Sequence, residues 1–197
     1  NHYGVPISLS QLNKDHKFGV FEVGMSKAGE INFLSKLLRP HIGIITNIGE
    51  AHIENFNNLR GIANAKSEII NNIQKNGTLI LNRDDRYFEY LEKKAKTKNL
   101  KVVSFGISRK SNIYPVKIIK DKTESRLTIR LKKQIITLTI KNINIYNVLC
   151  SLALLEELNL NLKGVAKYYK NYEPTEGRGR IHHVKRYSKN FKLIDES

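Results

Sequence analysis

Three short segments place polar side chains directly behind apolar runs. Glu22 sits near the end of Phe18–Val23 (FGVFEV) and is followed closely by Gly24. Ile42–Thr46 (IGIIT) leads into Asn47, with Ala51-His52 further along the same loop. Thr78–Asn82 (TLILN) ends in Asn82 and opens into Arg83-Asp84-Asp85. A carboxylate within an apolar strand is costly unless it meets a cation or hydrogen-bond donors. At the carboxyl end of a parallel strand it points into the crevice where such sheets bind ligands. Taken singly, each residue has a plainer reading: Glu22 a solvated strand end, His52 a solvated loop histidine, Asn82 a helix N-cap. Three successive strand ends carrying polar groups on one edge are a stronger indication of a site than any one of them.

Further along, Lys66 and Glu68 lie on a helix, where a lysine is ordinarily a surface charge. Asn144 and Asn147 share a helix start at i, i+3 and so lie on one face. Capping explains Asn144 well and Asn147 poorly. Gly177-Arg178-Gly179-Arg180 is a basic loop that could clamp phosphate through its guanidinium groups, or serve as a plain hinge. His182 and His183 have no third histidine or cysteine beside them and read as structural. Cys150 lies among Val148, Leu149, Leu152 and Ala153 and reads as core.

Alternating elements are needed to position these residues. Strands are expected at Phe18–Val23, Ile42–Thr46, Thr78–Asn82 and Lys101–Phe105. Helices are expected at Gly29–Leu38, Leu59–Ile73 and from Asp84 to Lys98, the last with acids in its first turn and bases in its last. Arg39-Pro40 stops the first of these helices. The alternation predicts an α/β fold, a mostly parallel sheet with flanking helices. The period then changes. Ile113–Lys120, Arg126–Lys132 and Gln134–Ile140 alternate apolar and polar residues, as antiparallel strands with one wet face do. This predicts a small antiparallel sheet, with Leu127, Ile129 and Leu131 inside and Thr128, Arg130 and Lys132 outside. Helices follow at Asn144–Leu158 and Gly164–Tyr172, then two strands, Ile181–Tyr187 and Phe191–Asp195.

With 197 residues and 40% hydrophobic content the chain can build a real core. It has no apolar run of the ~18 residues that cross a bilayer, so membrane insertion is not expected. The one cysteine excludes an internal disulfide and fits a reducing compartment. The formal net charge of +16 would suit a nucleic-acid-binding module. Yet the lysines are spread along the chain, and the cluster Lys93, Lys94, Lys96, Lys98, Lys101 lacks the interleaved aromatics of a stacking platform. A solvated basic surface is the expectation, without nucleic acid as partner. The chain opens at Asn1 without methionine or signal peptide and stops at Ser197 inside an apparent strand end, so both ends are expected to be cut.

The motifs, taken in order, resemble one family. Asn1-His2-Tyr3-Gly4-Val5-Pro6 is similar to the segment after the P-loop helix of the ATP-dependent Mur ligases. Phe21-Glu22-Val23-Gly24 with Ala28-Gly29-Glu30-Ile31 resembles the run E-x-G-x-x-x-x-G-E-I. Arg39-Pro40 through Ile45-Thr46-Asn47-Ile48 and Ala51-His52 resembles R/K-P…T-N-I-x-x-A-H. Ile62-Ala63-x-Ala65-Lys66-x-Glu68-Ile69, Leu81-Asn82-x-Asp84-Asp85, Asn144-Ile145-x-Asn147, Gly177-Arg178 and Leu193-Ile194-Asp195-Glu196-Ser197 match further family motifs. Two departures are Lys141 and Ile143, where the family has glycine and histidine. The phosphate-binding G-x-x-G-K-[ST] is absent and is expected upstream of Asn1.

Within the family, the motifs fit best the branch that joins D-alanyl-D-alanine to UDP-MurNAc-tripeptide. Sibling ligases, the diamino-acid-adding enzymes and folylpolyglutamate synthases, lack the run matched by Glu22–Ile31. The resemblance implies a cytoplasmic, bacterial, monomeric enzyme of peptidoglycan synthesis that uses ATP and Mg²⁺ and forms an amide bond through an acyl phosphate. It implies Glu22, His52 and a carbamylated Lys66 as magnesium ligands and catalytic residues. Asn82, Asn144, Asn147, Arg178 and Asp195 fall on the nucleotide side, and Asn47 lines the precursor channel. Residues 1–176 would be the central ATP-binding domain and 177–197 the start of the next.

Overall fold

The computed structural model describes residues 2–50, 53–121, 124–141, 143–162, 164–172, 180–187 and 189–195. They fall into two compact units, Asn1–Ser111 and Asn112–Ser197.

The first unit alternates helix and strand: α1 (Gly4–Ser10), α2 (Glu30–Leu38), β1 (Ile42–Ile45), α3 (Leu59–Lys66), β2 (Thr78–Asn82), α4 (Phe88–Thr97) and β3 (Lys101–Phe105). The strands pair in parallel in the order β1-β2-β3. β2 is central, and accordingly Thr78 through Leu81 are buried with only Asn82 reaching the half-exposed edge. Ile45, Leu79 and Leu81 meet Ile31 of α2, Ile62 and Ala65 of α3, and Phe88 and Leu91 of α4 in one apolar core. Parallel pairing requires each connection to cross back over the sheet, and the amphipathic helices do so. At Gly77, which enters β2, a Cβ would lie 2.6 Å from the His41 carbonyl oxygen and 2.8 Å from that of Gln74, so only glycine allows the chain to pass there.

The second unit holds an antiparallel sheet, β4 (Tyr114–Lys120), β5 (Ser125–Arg130) and β6 (Ile135–Ile140), in that order. Leu127, Ile129 and Leu131 are buried, while Arg130 and Lys132 are exposed and Thr128 is half-exposed. The period-2 reading holds on β5, whereas Val116 through Lys120 of β4 are exposed on both faces. Helix α5 (Ile145–Glu157) buries Val148, Leu149, Leu152 and Ala153. The Glu156 carboxylate accepts the backbone N–H groups of Lys132 and Lys133, both at 3.1 Å, tying α5 to the turn between β5 and β6. α6 (Val165–Lys170) follows, its Tyr169 hydroxyl 2.7 Å from Ser151 Oγ of α5. β7 (Arg180–Arg186) and β8 (Lys189–Asp195) form an antiparallel hairpin.

Three expectations are corrected. Phe18–Val23 is not a strand: no described residue forms a ladder with it, and an apolar run becomes a strand only through a partner. The helix expected to reach Ile73 is α-helical only to Lys66 and tightens into a 3₁₀ turn over Ser67–Asn71. Ser67 Oγ donates to the Asn64 carbonyl at 2.6 Å, competing with the helical ladder there. The helix expected from Asp84 begins only at Phe88, because the carboxylates of Asp84 and Asp85 serve loop N–H groups instead. The sequence reading also missed α1, whose Pro6 sits in the first turn, where the lack of an N–H is tolerated.

Candidate functional site

The carboxyl ends of β1 and β2 lie on one edge of the parallel sheet, and the residues following them meet there. Asn47 comes two residues after β1, and Asp85 three after β2. Lys66, the last residue of α3, reaches back to this edge, its Nζ donating to the Asn47 carbonyl at 2.9 Å. The next amide, Ile48 N–H, donates to Asp85 Oδ2 at 2.6 Å. The other oxygen of Asp85 accepts Tyr87 N–H at 2.8 Å, just ahead of α4. Burial pulls the Lys66 ammonium below the usual lysine range, and the negative charge of Asp85 opposes that pull. A partly desolvated amine at a strand-end crevice is unlike an ordinary surface lysine.

α3 is held in register by α4. The Arg60 guanidinium lies 3.7 Å from the centroid of the Tyr90 ring. The Tyr90 hydroxyl donates to Asn64 Oδ1 at 2.6 Å, and Lys94 Nζ to Ser67 Oγ at 2.7 Å. Glu68, beyond Lys66, accepts the N–H groups of Gly29 at 2.8 Å and Asn32 at 3.0 Å. It thereby caps α2, which begins after a left-handed Gly29 and has no side-chain cap of its own. Glu30 accepts Ser26 N–H at 2.6 Å and pairs with His2 at 3.2 Å. That backbone bond, opposed by partial desolvation, holds the Glu30 carboxyl below the usual range. Glu30 and Glu68 thus shape the segment just after Glu22.

Of the residues singled out by sequence, Lys66 and Asn47 are brought together. Glu22 is exposed. Asn82, half-exposed, uses its Oδ1 to accept Asp84 N–H at 3.0 Å, turning the chain at the strand end. Asp84 in turn accepts the N–H groups of Ile107 and Ser108. In the second unit Asn144 caps α5, accepting Tyr146 N–H at 2.8 Å, and Asn147 is exposed one turn on. Asp195 ends β8 opposite Arg180. His52 and Arg178 lie outside the described residues. Cys150 is core, its thiol pushed up to about 12 by burial. Asp85 was not singled out by sequence, although its place in L-N-x-D-D was a signal. Glu68 was noted only as a neighbour of Lys66; the spacing K-x-E on a short helix carried its role.

Among the described residues no three His, Cys, Asp or Glu side chains gather as a ready metal cage. Glu22 offers the hard anionic oxygen that Mg²⁺ favours. Lys66 as an ammonium would repel a cation, and fits beside one only after conversion to an anion. The half-buried position that lowers its proton affinity favours the neutral amine such a conversion needs.

The Mur ligase middle-domain model matches residues 1–155, and the chain belongs to that family. Among named relatives, UDP-N-acetylmuramoyl-tripeptide–D-alanyl-D-alanine ligase of Rickettsia prowazekii is 33% identical over 188 residues, 92% of this chain and 41% of that protein. The ligase of the same name from Buchnera aphidicola (strain APS) is 40% identical over 114 residues, 58% of this chain and 25% of its own length. Among solved structures, MurF from Acinetobacter baumannii matches with a TM-score of 0.86 at 26% identity, covering 98% of this chain and 42% of that one. MurF from Thermotoga maritima, solved with ADP, shares the fold at a TM-score of 0.80 and 21% identity, covering 93% and 42%. The matches therefore span between about a fifth and two fifths of the curated relatives' own length. No described helix is long and apolar enough to cross a membrane.

Proposed function

We propose that the protein containing this chain is an ATP-dependent carbon–nitrogen ligase that joins D-alanyl-D-alanine to UDP-MurNAc-tripeptide, with residues 1–176 as its central domain and 177–197 opening the next. The observation that carries this reading is the Lys66 amine held at the carboxyl edge of the parallel sheet against the Asn47 carbonyl, with Asp85 beside it. The names of the relatives point the same way.

In this reading the terminal carboxylate of the tripeptide takes the γ-phosphoryl group of ATP. The D-Ala-D-Ala amine then attacks the acyl phosphate, and phosphate leaves. Glu22, His52 and Lys66, the last as the carbamate its neutral amine forms with CO₂ on losing a proton, would hold Mg²⁺, which would neutralise charge on the phosphate oxygens. Asn47, with its backbone carbonyl engaged and its side chain exposed, lines the channel for the tripeptide. The family motifs assign Asn82, Asn144, Asn147 and Asp195 to nucleotide binding and Arg178 to phosphate. The chain's contribution is electrostatic and geometric: it orients the carboxylate and keeps anionic groups tolerable near one another.

The test is ADP formation by the full-length protein. ADP is expected only with both the tripeptide precursor and D-Ala-D-Ala present, and Lys66→Ala is expected to abolish it. Equal ADP formation with a diamino acid or glutamate as acceptor would assign the protein to a sibling activity.

A further inference from the structure

Lys66 and Asp85 grip opposite ends of a single peptide unit. The carbonyl of Asn47 and the N–H of Ile48 belong to one amide plane. Its oxygen accepts from Lys66 Nζ at 2.9 Å, and its N–H donates to the Asp85 carboxylate at 2.6 Å. The amide is thereby held at both ends, and the bond to Asp85 has an ionised acceptor, the stronger class of hydrogen bond. The Ile48 side chain is 7% exposed and anchors the peptide in the core, whereas the Asn47 side chain projects into solvent. The Asp85 carboxylate is fixed from behind by Tyr87 N–H. Lys66 is fixed by the contacts of α3 with α4 described above.

We propose that Asp85 is a positioning residue that acts through the Asn47–Ile48 peptide: by holding that amide plane, it sets where the Asn47 side chain stands and where the Lys66 amine is docked. Asp85 need touch neither nucleotide nor peptide substrate. If the peptide rotates, the Asn47 carbonyl turns away from Lys66, and a side chain at the substrate channel and one at the phosphate side are displaced together. The proposal rests on the ligase reading for its functional consequence and on the geometry alone for the clamp.

Asp85→Ala and the milder Asp85→Asn, which retains one acceptor oxygen, are made in the full-length protein. Three measurements are taken: the amide resonance of Ile48 after selective ¹⁵N-isoleucine labelling, steady-state constants for tripeptide and for ATP, and the thermal midpoint. Loss of a hydrogen bond to a charged acceptor predicts an upfield move of the Ile48 amide proton. It also predicts a fall of about tenfold or more in kcat/KM for the tripeptide in Asp85→Ala. KM for ATP stays within about twofold, and Asp85→Asn falls between the two. A lowered thermal midpoint with unchanged tripeptide constants would make Asp85 a purely structural residue and overturn the proposal. A wild-type protein without ligase activity whose Ile48 resonance still responds to Asp85→Ala would overturn the ligase reading and leave the clamp standing.

Discussion

Glu68 accepts two backbone N–H groups from the first turn of α2, a helix whose own cap position is a glycine. Glu68→Ala leaves both donors to water and should cost about 1–2 kcal/mol, as loss of an N-cap does. The urea midpoint of the full-length protein should fall with the slope unchanged; an unmoved midpoint would show that α2 needs no outside cap. Cys150 gives a second residue-scale expectation. Its thiol is raised from 9.0 to about 12, so the unfolded chain loses this proton first. The thiol leaves stability untouched below pH 9 and subtracts from it as pH rises from 9 toward 12. At pH 8 the folded protein should therefore resist a thiol-alkylating reagent that labels it at once in denaturant. Fast labelling of the native protein would contradict the buried assignment.

Within the antiparallel sheet, the two faces of β5 make opposite demands. Ile129 is fully buried, and truncation to alanine should cost about 2–5 kcal/mol through lost transfer energy and a residual cavity. Its neighbour Thr128, on the outer face, lies opposite Lys117 and Thr137, its hydroxyl 3.3 Å from that of Thr137. Thr128→Ala should change stability by less than about 1 kcal/mol. Denaturant titrations of the two variants decide this, and equal costs would show that the sheet is covered on both faces. α5 adds a further case. Glu156 satisfies two N–H groups of the β5–β6 turn from a nearly buried position. Losing that carboxylate leaves two partly buried donors unpaired, so Glu156→Ala should destabilise more than Thr128→Ala.

For the molecule as a whole, triphosphate affinity is expected to depend on residues this sequence does not contain. No G-x-x-G-K-[ST] occurs between Asn1 and Ser197, and such a loop supplies the N–H groups and lysine that cradle phosphates. Calorimetry of the 197-residue chain with Mg-ATP should show binding far weaker than micromolar. Micromolar binding would place a phosphate site within Asn1–Ser197. The charge of +16 makes a second expectation: any DNA retardation in gels should disappear as salt approaches physiological strength, because scattered lysines give only counterion-driven attraction. Retardation that persists there would revive a nucleic-acid role.

Much of this architecture was legible in the chain. The parallel strands at 42, 78 and 101 and the antiparallel sheet after 113 follow from hydrophobic period and strand length, which local sequence carries directly. The motifs around Lys66 and Asn82 were legible as well, since their spacing sets which strand end or helix end they occupy. Phe18–Val23 was misread because strand formation depends on a ladder partner, and no local pattern reports one. The start of α4 and the end of α3 were misplaced for a related reason: Asp84, Asp85 and Ser67 spend their polar atoms on groups distant in sequence or on competing local bonds. The meeting of Lys66 with Asn47, and of Asp85 with Ile48, spans 19 and 37 residues. Only the folded sheet, by stacking β1 beside β2 and laying α3 across them, brings those groups within hydrogen-bond reach. The sequence by itself determined which residues could do chemistry and which elements carry them. The tertiary structure alone decided that one amide plane would stand between a half-buried lysine and a carboxylate, because contact across a parallel sheet is set by register and packing.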